Sequence, residues 1–72
     1  MEKFQVREYP LYELAQLYYP ELCMRSACRL FSRELRETRG LWRALGDVGF
    51  KRYAKMLTRT QVRTIVRFLG EP

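Results

Sequence analysis

The segment from Arg25 to Arg39, RSACRLFSRELRETR, constrains the fold most, because it carries two opposed stripes of side chains. At 100° per residue, a helix brings its apolar residues to one face and its arginines to the other. The apolar stripe consists of Ala27, Cys28, Leu30, Phe31 and Leu35. The cationic stripe consists of Arg25, Arg29, Arg33 and Arg36, at spacings of four, four and three. The pattern predicts one amphipathic helix with a core on one side and a basic surface on the other.

The length of 72 residues predicts one small domain over residues 1–72, with too little interior for a deep active-site cavity. The apolar content of 47% and the charged content of 31% are typical of a folded domain rather than a disordered tail. No apolar run approaches the length of a membrane span, and the N-terminus lacks the apolar core of a signal peptide. These features predict a cytoplasmic protein with no membrane partner.

The net charge of +6 is distributed unevenly along the chain. Residues 1–24 carry two cations against four carboxylates, whereas residues 25–72 carry twelve cations against four carboxylates. Eleven of the fourteen cations are arginine. A basic surface of this kind suits a polyanion, and an ordinary solvated surface is the alternative.

The N-terminal part predicts a short strand and a short helix. Alternation from Phe4 to Tyr9 fits a strand or an extended arm, and Pro10 suits the first turn of a helix. Helical spacing then relates Leu11, Leu14, Ala15 and Tyr18, and Pro20 ends the helix. Ser26 is one candidate cap for the central helix.

The segment after the central helix predicts a third helix and a second strand. Gly40 is expected to end the central helix, and Gly46 or Gly49 to end the next one. That short helix is indicated by Leu41, Trp42, Leu45 and Val48. We interpret Trp42 as a core anchor, with an exposed stacking platform as the alternative. The alternation from Phe50 to Leu57 fits a short strand that pairs with the N-terminal one and leaves a basic rim of Lys51, Arg52 and Lys55.

The last helix has the clearest signal. Thr58 and Gln61 form a capping box, and Gly70 provides the stop. Its apolar face consists of Val62, Ile65, Val66 and Leu69, and its flank carries Arg59, Arg63 and Arg67. The predicted fold is therefore mainly α, with three to four short helices in a helix-turn-helix-like arrangement, with or without a small two-stranded β-ribbon.

The sequence offers little catalytic chemistry. It has no histidine, no glycine-rich phosphate loop and no serine in a recognisable nucleophile context. Glu34 and Glu37 lie among arginines and are interpreted as charge balance within the helix. Cys23 and Cys28 are too few for a metal site, and Cys28 is expected to be a buried thiol. We expect no enzyme activity, no metal or cofactor and no small-molecule substrate.

The arginine stripes favour double-stranded DNA as the partner. Arginine suits phosphate and guanine edges, and the major groove accepts an α-helix. The expected DNA contacts are Arg25, Arg29, Arg33 and Arg36 in the groove, Lys51, Arg52 and Lys55 on the backbone as a wing, and Arg59, Arg63 and Arg67 as secondary phosphate contacts. The alternative is a protein-interaction adaptor or a small homodimer that uses the same helices against an acidic partner, with Phe68 as one contact.

Motifs at both ends of the chain resemble a known family. These are Tyr9-Pro10, Leu14-Ala15…Tyr18-Tyr19-Pro20, Ala27, and the ending Leu57-Thr58…Gln61-Val62…Ile65-Val66…Leu69-Gly70-Glu71-Pro72. Together they resemble the small bacterial proteins of the domain of unknown function 4248 family. The resemblance implies no activity, cofactor or catalytic residue. More loosely, the chain is similar to excisionase-like and MerR-like winged helix-turn-helix domains, an analogy of fold alone.

Overall fold

The computed structural model of the protein describes residues 4–51 and 54–72. Within these ranges the fold is mainly α, with four helices and one two-stranded antiparallel ribbon, as the sequence predicts. In chain order the elements are β1 (Tyr9–Pro10), α1 (Leu11–Tyr18), α2 (Met24–Glu37), α3 (Leu41–Asp47), β2 (Met56–Leu57) and α4 (Arg59–Leu69).

The packing of α1 against α2 forms the centre of the core. Leu14 and Ala15 of α1 are fully buried in the same cluster as Phe31 of α2. The rings of Tyr18 and Phe31 stack with centroids 5.4 Å apart and an interplanar angle of 22°. Ala27 is also fully buried, and small side chains allow two helix backbones to approach closely. The apolar face of α2 is thereby fixed against α1.

The ends of α2 differ from the prediction by a few residues. Cys23 is the N-cap and makes no side-chain capping bond, whereas Ser26 lies inside the helix, so the predicted cap is wrong. The helix ends at Glu37, before Gly40. Gly40 instead adopts φ of 83° at the start of α3, where an L side chain would be strained. The connection between α2 and α3 is therefore only residues 38–40.

Gly49, not Gly46, ends the third helix. The backbone N–H of Phe50 donates to the carbonyl of Leu45 over 2.9 Å, which turns the chain back on itself. Gly49 lies at this reversal with φ of 82°, a conformation that glycine adopts without strain. Gly46 lies within α3.

The ribbon pairs the two predicted strand segments but is much shorter than predicted. Tyr9 is opposite Leu57 and Pro10 is opposite Met56, so each strand has two residues. Pro10 has no N–H to continue the ladder, and the chain enters α1 at the next residue. One further bond joins the N–H of Leu11 to the carbonyl of Lys55, at 2.8 Å.

The capping box of α4 is confirmed. The Gln61 N–H donates to Thr58 Oγ1 over 3.2 Å, and the Thr58 N–H donates to Gln61 Oε1 over 3.0 Å. Gln61 Nε2 also donates to the carbonyl of Val48 over 3.2 Å, which attaches the start of α4 to the end of α3. The Tyr18 hydroxyl donates to the carbonyl of Gly70. Burial, and to a smaller extent the nearby negative charge of Glu71, raises the pKa of Tyr18 to about 12.

Two predicted core residues lie at the surface. Leu30 and Trp42 each keep 38% of their surface exposed, so their predicted core positions are wrong. Leu30 lies about 100° around the helix from the buried Phe31, on the flank of α2. Trp42 has the same relation to Leu41 in α3 and contacts Phe50 from the side. Cys28 is half-buried rather than fully buried.

We predict opposite effects of alanine at the two glycines near the end of α3. Gly46 lies in the helix with nothing within 4 Å of an added Cβ, so Gly46→Ala should raise the free energy of unfolding by about 0.5–1 kcal/mol. Gly49→Ala should lower it by about 1–2 kcal/mol, because its φ is positive. Thermal unfolding followed by circular dichroism measures both. An equal effect of the two substitutions would contradict this account of the turn.

Candidate nucleic-acid interface

The arginine stripe of α2 is presented to solvent by the burial of the opposite side of the helix. The buried side chains of α2 are Ala27, Phe31 and Leu35. The side chains of Arg25, Arg29, Arg33 and Arg36 are all exposed. Helical geometry carries them to the side away from Phe31. Arg29, Arg33 and Arg36 lie two or five residues from it, about 140–160° around the helix axis, and Arg25 lies six residues from it, about 120° around the axis. The predicted basic face of α2 is thus present.

The arginines of this face differ in how far their charge is neutralised. Arg33 Nε donates to Glu37 Oε1 over 3.0 Å, an exposed pair one turn apart. The other three arginines make no salt bridge within residues 4–51 and 54–72. The first turn of α2 also contains no acidic side chain. Most of the positive charge of the face is therefore available to an anion.

A shallow depression lies at the N-terminal end of the face, lined by Arg25, Ser26 and Arg29. Beside it the exposed Cys23 thiol lies 3.4 Å from Ser26 Oγ, within hydrogen-bonding distance. The hydrogen bond with the Ser26 hydroxyl, and to a smaller extent the hydrogen bond with the Ser26 backbone, lowers the pKa of the Cys23 thiol. Burial raises the pKa of the Cys28 thiol one turn further along.

The predicted wing is described only in part. Lys51 and Lys55 are exposed and lie in the segment between α3 and β2. The N–H of Ala54 donates to the carbonyl of Lys51 over 2.9 Å. Arg52 lies outside the described residues.

The basic residues of α4 form a second exposed row. Arg59, Arg63 and Arg67 recur every four residues along the exposed flank of α4, beside the face that buries Val62 and Ile65. The helices α2 and α4 make at most marginal direct contact, since α2 packs on α1 and α3 while α4 packs on α3. The structure therefore does not bring the two rows together through a shared helix–helix contact.

Two further exposed arginines near α3 were not among the predicted contacts. Arg39 lies in the turn before α3, and Arg43 lies on the helix next to the exposed Trp42. Neither arginine belongs to a periodic stripe, so periodicity could not single them out. A helical projection of α3 singles out Arg43 alone, because this residue lies two positions from both Leu41 and Leu45, which define the buried side. Arg39 precedes the helix and has no such signal.

The part of the chain that the structure describes holds no group of three or more histidine, cysteine, aspartate or glutamate side chains placed to bind a metal. None of its helices is long and apolar enough to cross a membrane.

The fold and the surface define a small, mainly helical domain whose longest helix carries an exposed basic face. The chain matches the family model described as Domain of unknown function (DUF4248) over residues 5–72, and it belongs to that family. The predicted resemblance is thereby confirmed. No curated protein and no solved structure matches the chain. Family membership brings no activity with it, so any function has to be argued from the site itself.

We predict that the two thiols react at different rates. Cys23 should be alkylated by iodoacetamide well before Cys28 near neutral pH, since thiolate is the reactive form and Cys23 has the lowered pKa. Ser26→Ala should slow the reaction of Cys23 and shift its pH profile upward, as the hydrogen bond is lost. Mass spectrometry of timed samples gives the two rates, with Cys28→Ser as the control that leaves the Cys23 rate unchanged. Equal rates in the native protein would refute the assignment.

Proposed function

We propose that the protein is a non-catalytic, cytoplasmic DNA-binding protein that contacts duplex DNA with the basic face of α2. The observation that carries the proposal is the exposure of Arg25, Arg29 and Arg36 without a salt bridge within the described residues. Arginine is permanently charged, and its planar fork binds phosphate oxygens and the guanine edge in two-point fashion.

The dimensions of α2 suit a major groove. A helix of 14 residues is about 21 Å long at 1.5 Å per residue. The major groove is wide enough to admit an α-helix lying in it. The arginines at 25 and 29, near the N-terminal end, would be the closest to base edges in a helix-turn-helix-like approach. Lys51, Arg52 and Lys55 would contact the backbone as a wing, and Arg59, Arg63 and Arg67 would add phosphate contacts.

The connections between helices support the motif only in part. The α1–α2 connection, residues 19–23, has five residues and no glycine, whereas the usual helix-turn-helix turn has three or four. The α2–α3 connection has three residues and contains Gly40. The proposal therefore depends on the charge and exposure of α2 rather than on the turn.

Binding of fluorescein-labelled random duplex DNA, followed by anisotropy at about 50 and 200 mM salt, tests the proposal. We expect micromolar affinity at the lower salt and a loss of about a hundredfold or more at the higher salt, because several phosphate contacts release counterions. Absence of binding at low salt would eliminate duplex DNA as the partner.

We predict a graded response along the arginine face. Arg29→Ala should weaken binding of random duplex DNA and lower the slope of log affinity against log salt by about 0.9. Arg33→Ala should have a smaller effect, because Glu37 already neutralises part of that charge, and Glu37→Gln should strengthen binding. Arg7→Ala is the matched control, since Arg7 pairs with Glu13 at 3.5 Å and lies 4.0 Å from the Tyr9 ring centre. Equal effects of Arg7→Ala and Arg29→Ala would show that binding depends on the net charge of the chain and not on the face of α2.

A second candidate function, an acidic protein partner or a second copy of the chain, is favoured by Leu30. This side chain is 38% exposed beside the basic face, where a protein interface would cover it. Under this alternative Leu30→Gln should abolish association measured by light scattering at several concentrations, while leaving the unfolding midpoint nearly unchanged. Under the DNA proposal, Leu30→Gln leaves the molecular mass measured by light scattering unchanged, and the variant binds duplex DNA as the native chain does.

A further inference from the structure

The exposed Trp42 lies in a cationic setting that the α2 face does not include. It is the single tryptophan of the chain and keeps 38% of its surface exposed on a helix that is otherwise anchored by Leu41 and Leu45. Phe50 contacts the indole edge-on, with ring centroids 5.6 Å apart and an interplanar angle of 74°. A T-shaped contact of this kind fixes the indole while leaving part of it open.

Phe50 itself is held in place by the backbone. Its N–H donates to the carbonyl of Leu45, the bond that closes the turn after α3. The indole therefore contacts a ring whose backbone is bonded to the same helix. Gly46 lies one turn after Trp42, and nothing lies within 4 Å of the position where its Cβ would be. No side chain from that position covers the indole, and Trp42 keeps 38% of its surface exposed.

Between residues 39 and 51, around Trp42 in the chain, exposed cations outnumber exposed carboxylates by three to one. Arg39 precedes Trp42 by three residues, Arg43 follows it directly and Lys51 follows Phe50, whereas Asp47 at the end of α3 carries the carboxylate. None of them makes a salt bridge within the described ranges. The neighbours of Trp42 on the outer side of α3 are polar or lack a side chain, whereas the centre of a protein interface is apolar. This combination of one aromatic ring and several cations favours a nucleobase with its flanking phosphates.

We propose that Trp42 binds an unpaired nucleotide of single-stranded nucleic acid by stacking, with Arg39, Arg43 and Lys51 contacting the adjacent phosphates. The site goes beyond the duplex contact assigned to α2 and does not rest on it, because it uses α3 and the segment that follows. It gives the chain a way to hold a distorted or opened duplex, or a free strand, at a second surface.

The single tryptophan makes the proposal directly measurable. Oligothymidylate of about 12 nucleotides is titrated into the full chain at about 50 mM salt, with selective excitation of the indole. We expect saturable quenching of the Trp42 emission that reverses when salt is added. Trp42→Leu should weaken binding of the labelled oligonucleotide about tenfold, whereas Trp42→Phe should retain part of the affinity.

Two comparisons separate stacking from other causes. Tyr12→Leu alters an aromatic side chain that is 52% exposed on a different helix, α1, and it should leave oligonucleotide affinity unchanged. Arg43→Glu, which leaves the indole in place, should weaken binding and reduce its salt dependence. Circular dichroism should show the same unfolding midpoint for Trp42→Leu as for Trp42→Phe within a few degrees.

Three outcomes would overturn the proposal: no quenching, an equal loss of affinity in Tyr12→Leu, or an emission shift that depends on protein concentration alone. The last would show that a second copy of the chain covers Trp42. The failure of this proposal is distinguishable from that of the duplex proposal. Arg29→Ala should lose duplex affinity yet retain full quenching by oligothymidylate, whereas Trp42→Leu should retain duplex affinity and lose affinity for the labelled oligothymidylate.

Discussion

The burial of Phe31 between α1 and α2 is the interaction on which the rest of the structure depends. The ring is fully buried and stacks on Tyr18, and the small Ala15 and Ala27 allow the two helices to come close. Replacing a buried phenylalanine by alanine costs about 3–5 kcal/mol, a large part of the roughly 5–15 kcal/mol that stabilises a whole domain. Rotating α2 about its axis would forfeit this burial. The outward direction of the arginine stripe is therefore set by what lies on the other side of the helix.

A second constraint fixes α4 to α3. Gln61 is 5% exposed, and a buried amide without partners costs about 1–3 kcal/mol. Its side chain is satisfied by the N–H of Thr58 and by the carbonyl of Val48, so the capping box also serves as a connection between two helices. Within the described residues no buried polar side-chain atom is left without a partner. These bonds and the burial of Ile65 fix the orientation of α4, and thereby the direction in which its row of arginines points.

The sequence predicts best where a signal is repeated along one helix. The stripes of α2 recur over several turns, and the box at Thr58 and Gln61 specifies both ends of one exchange of hydrogen bonds, so both helices and the exposure of their arginines were predictable. The cap of α2 was not, because Cys23 occupies it without any capping side-chain bond. The ribbon is short because Pro10 lacks an N–H, which is visible in the sequence. The sequence did not show that this missing donor would outweigh the alternating pattern, which predicted longer strands.

Residues on the flank of a helix were the hardest to predict. Leu30 and Trp42 lie about 100° from a buried neighbour, and whether such a residue is covered depends on elements far along the chain. No second layer covers Leu30, while Phe50 covers only part of Trp42. The basic residues beside Trp42 escaped for a related reason, since Arg39 lies in a turn and Arg43 on a helix of seven residues, too short to show a period.

The arginine stripe cannot be explained by the stability of the fold. Like charges one turn apart destabilise a helix by about 0.2–0.5 kcal/mol per pair, and α2 contains such pairs between Arg25, Arg29 and Arg33. Arg25 lies in the first turn, where the helix dipole disfavours a cation, and the same holds for Arg59 in α4. Within the described residues the arginines of α2 make one salt bridge, between Arg33 and Glu37. A polyanion along the face would convert each of these unfavourable terms into an attraction, so the charge arrangement is costly in the free chain and favourable in a complex.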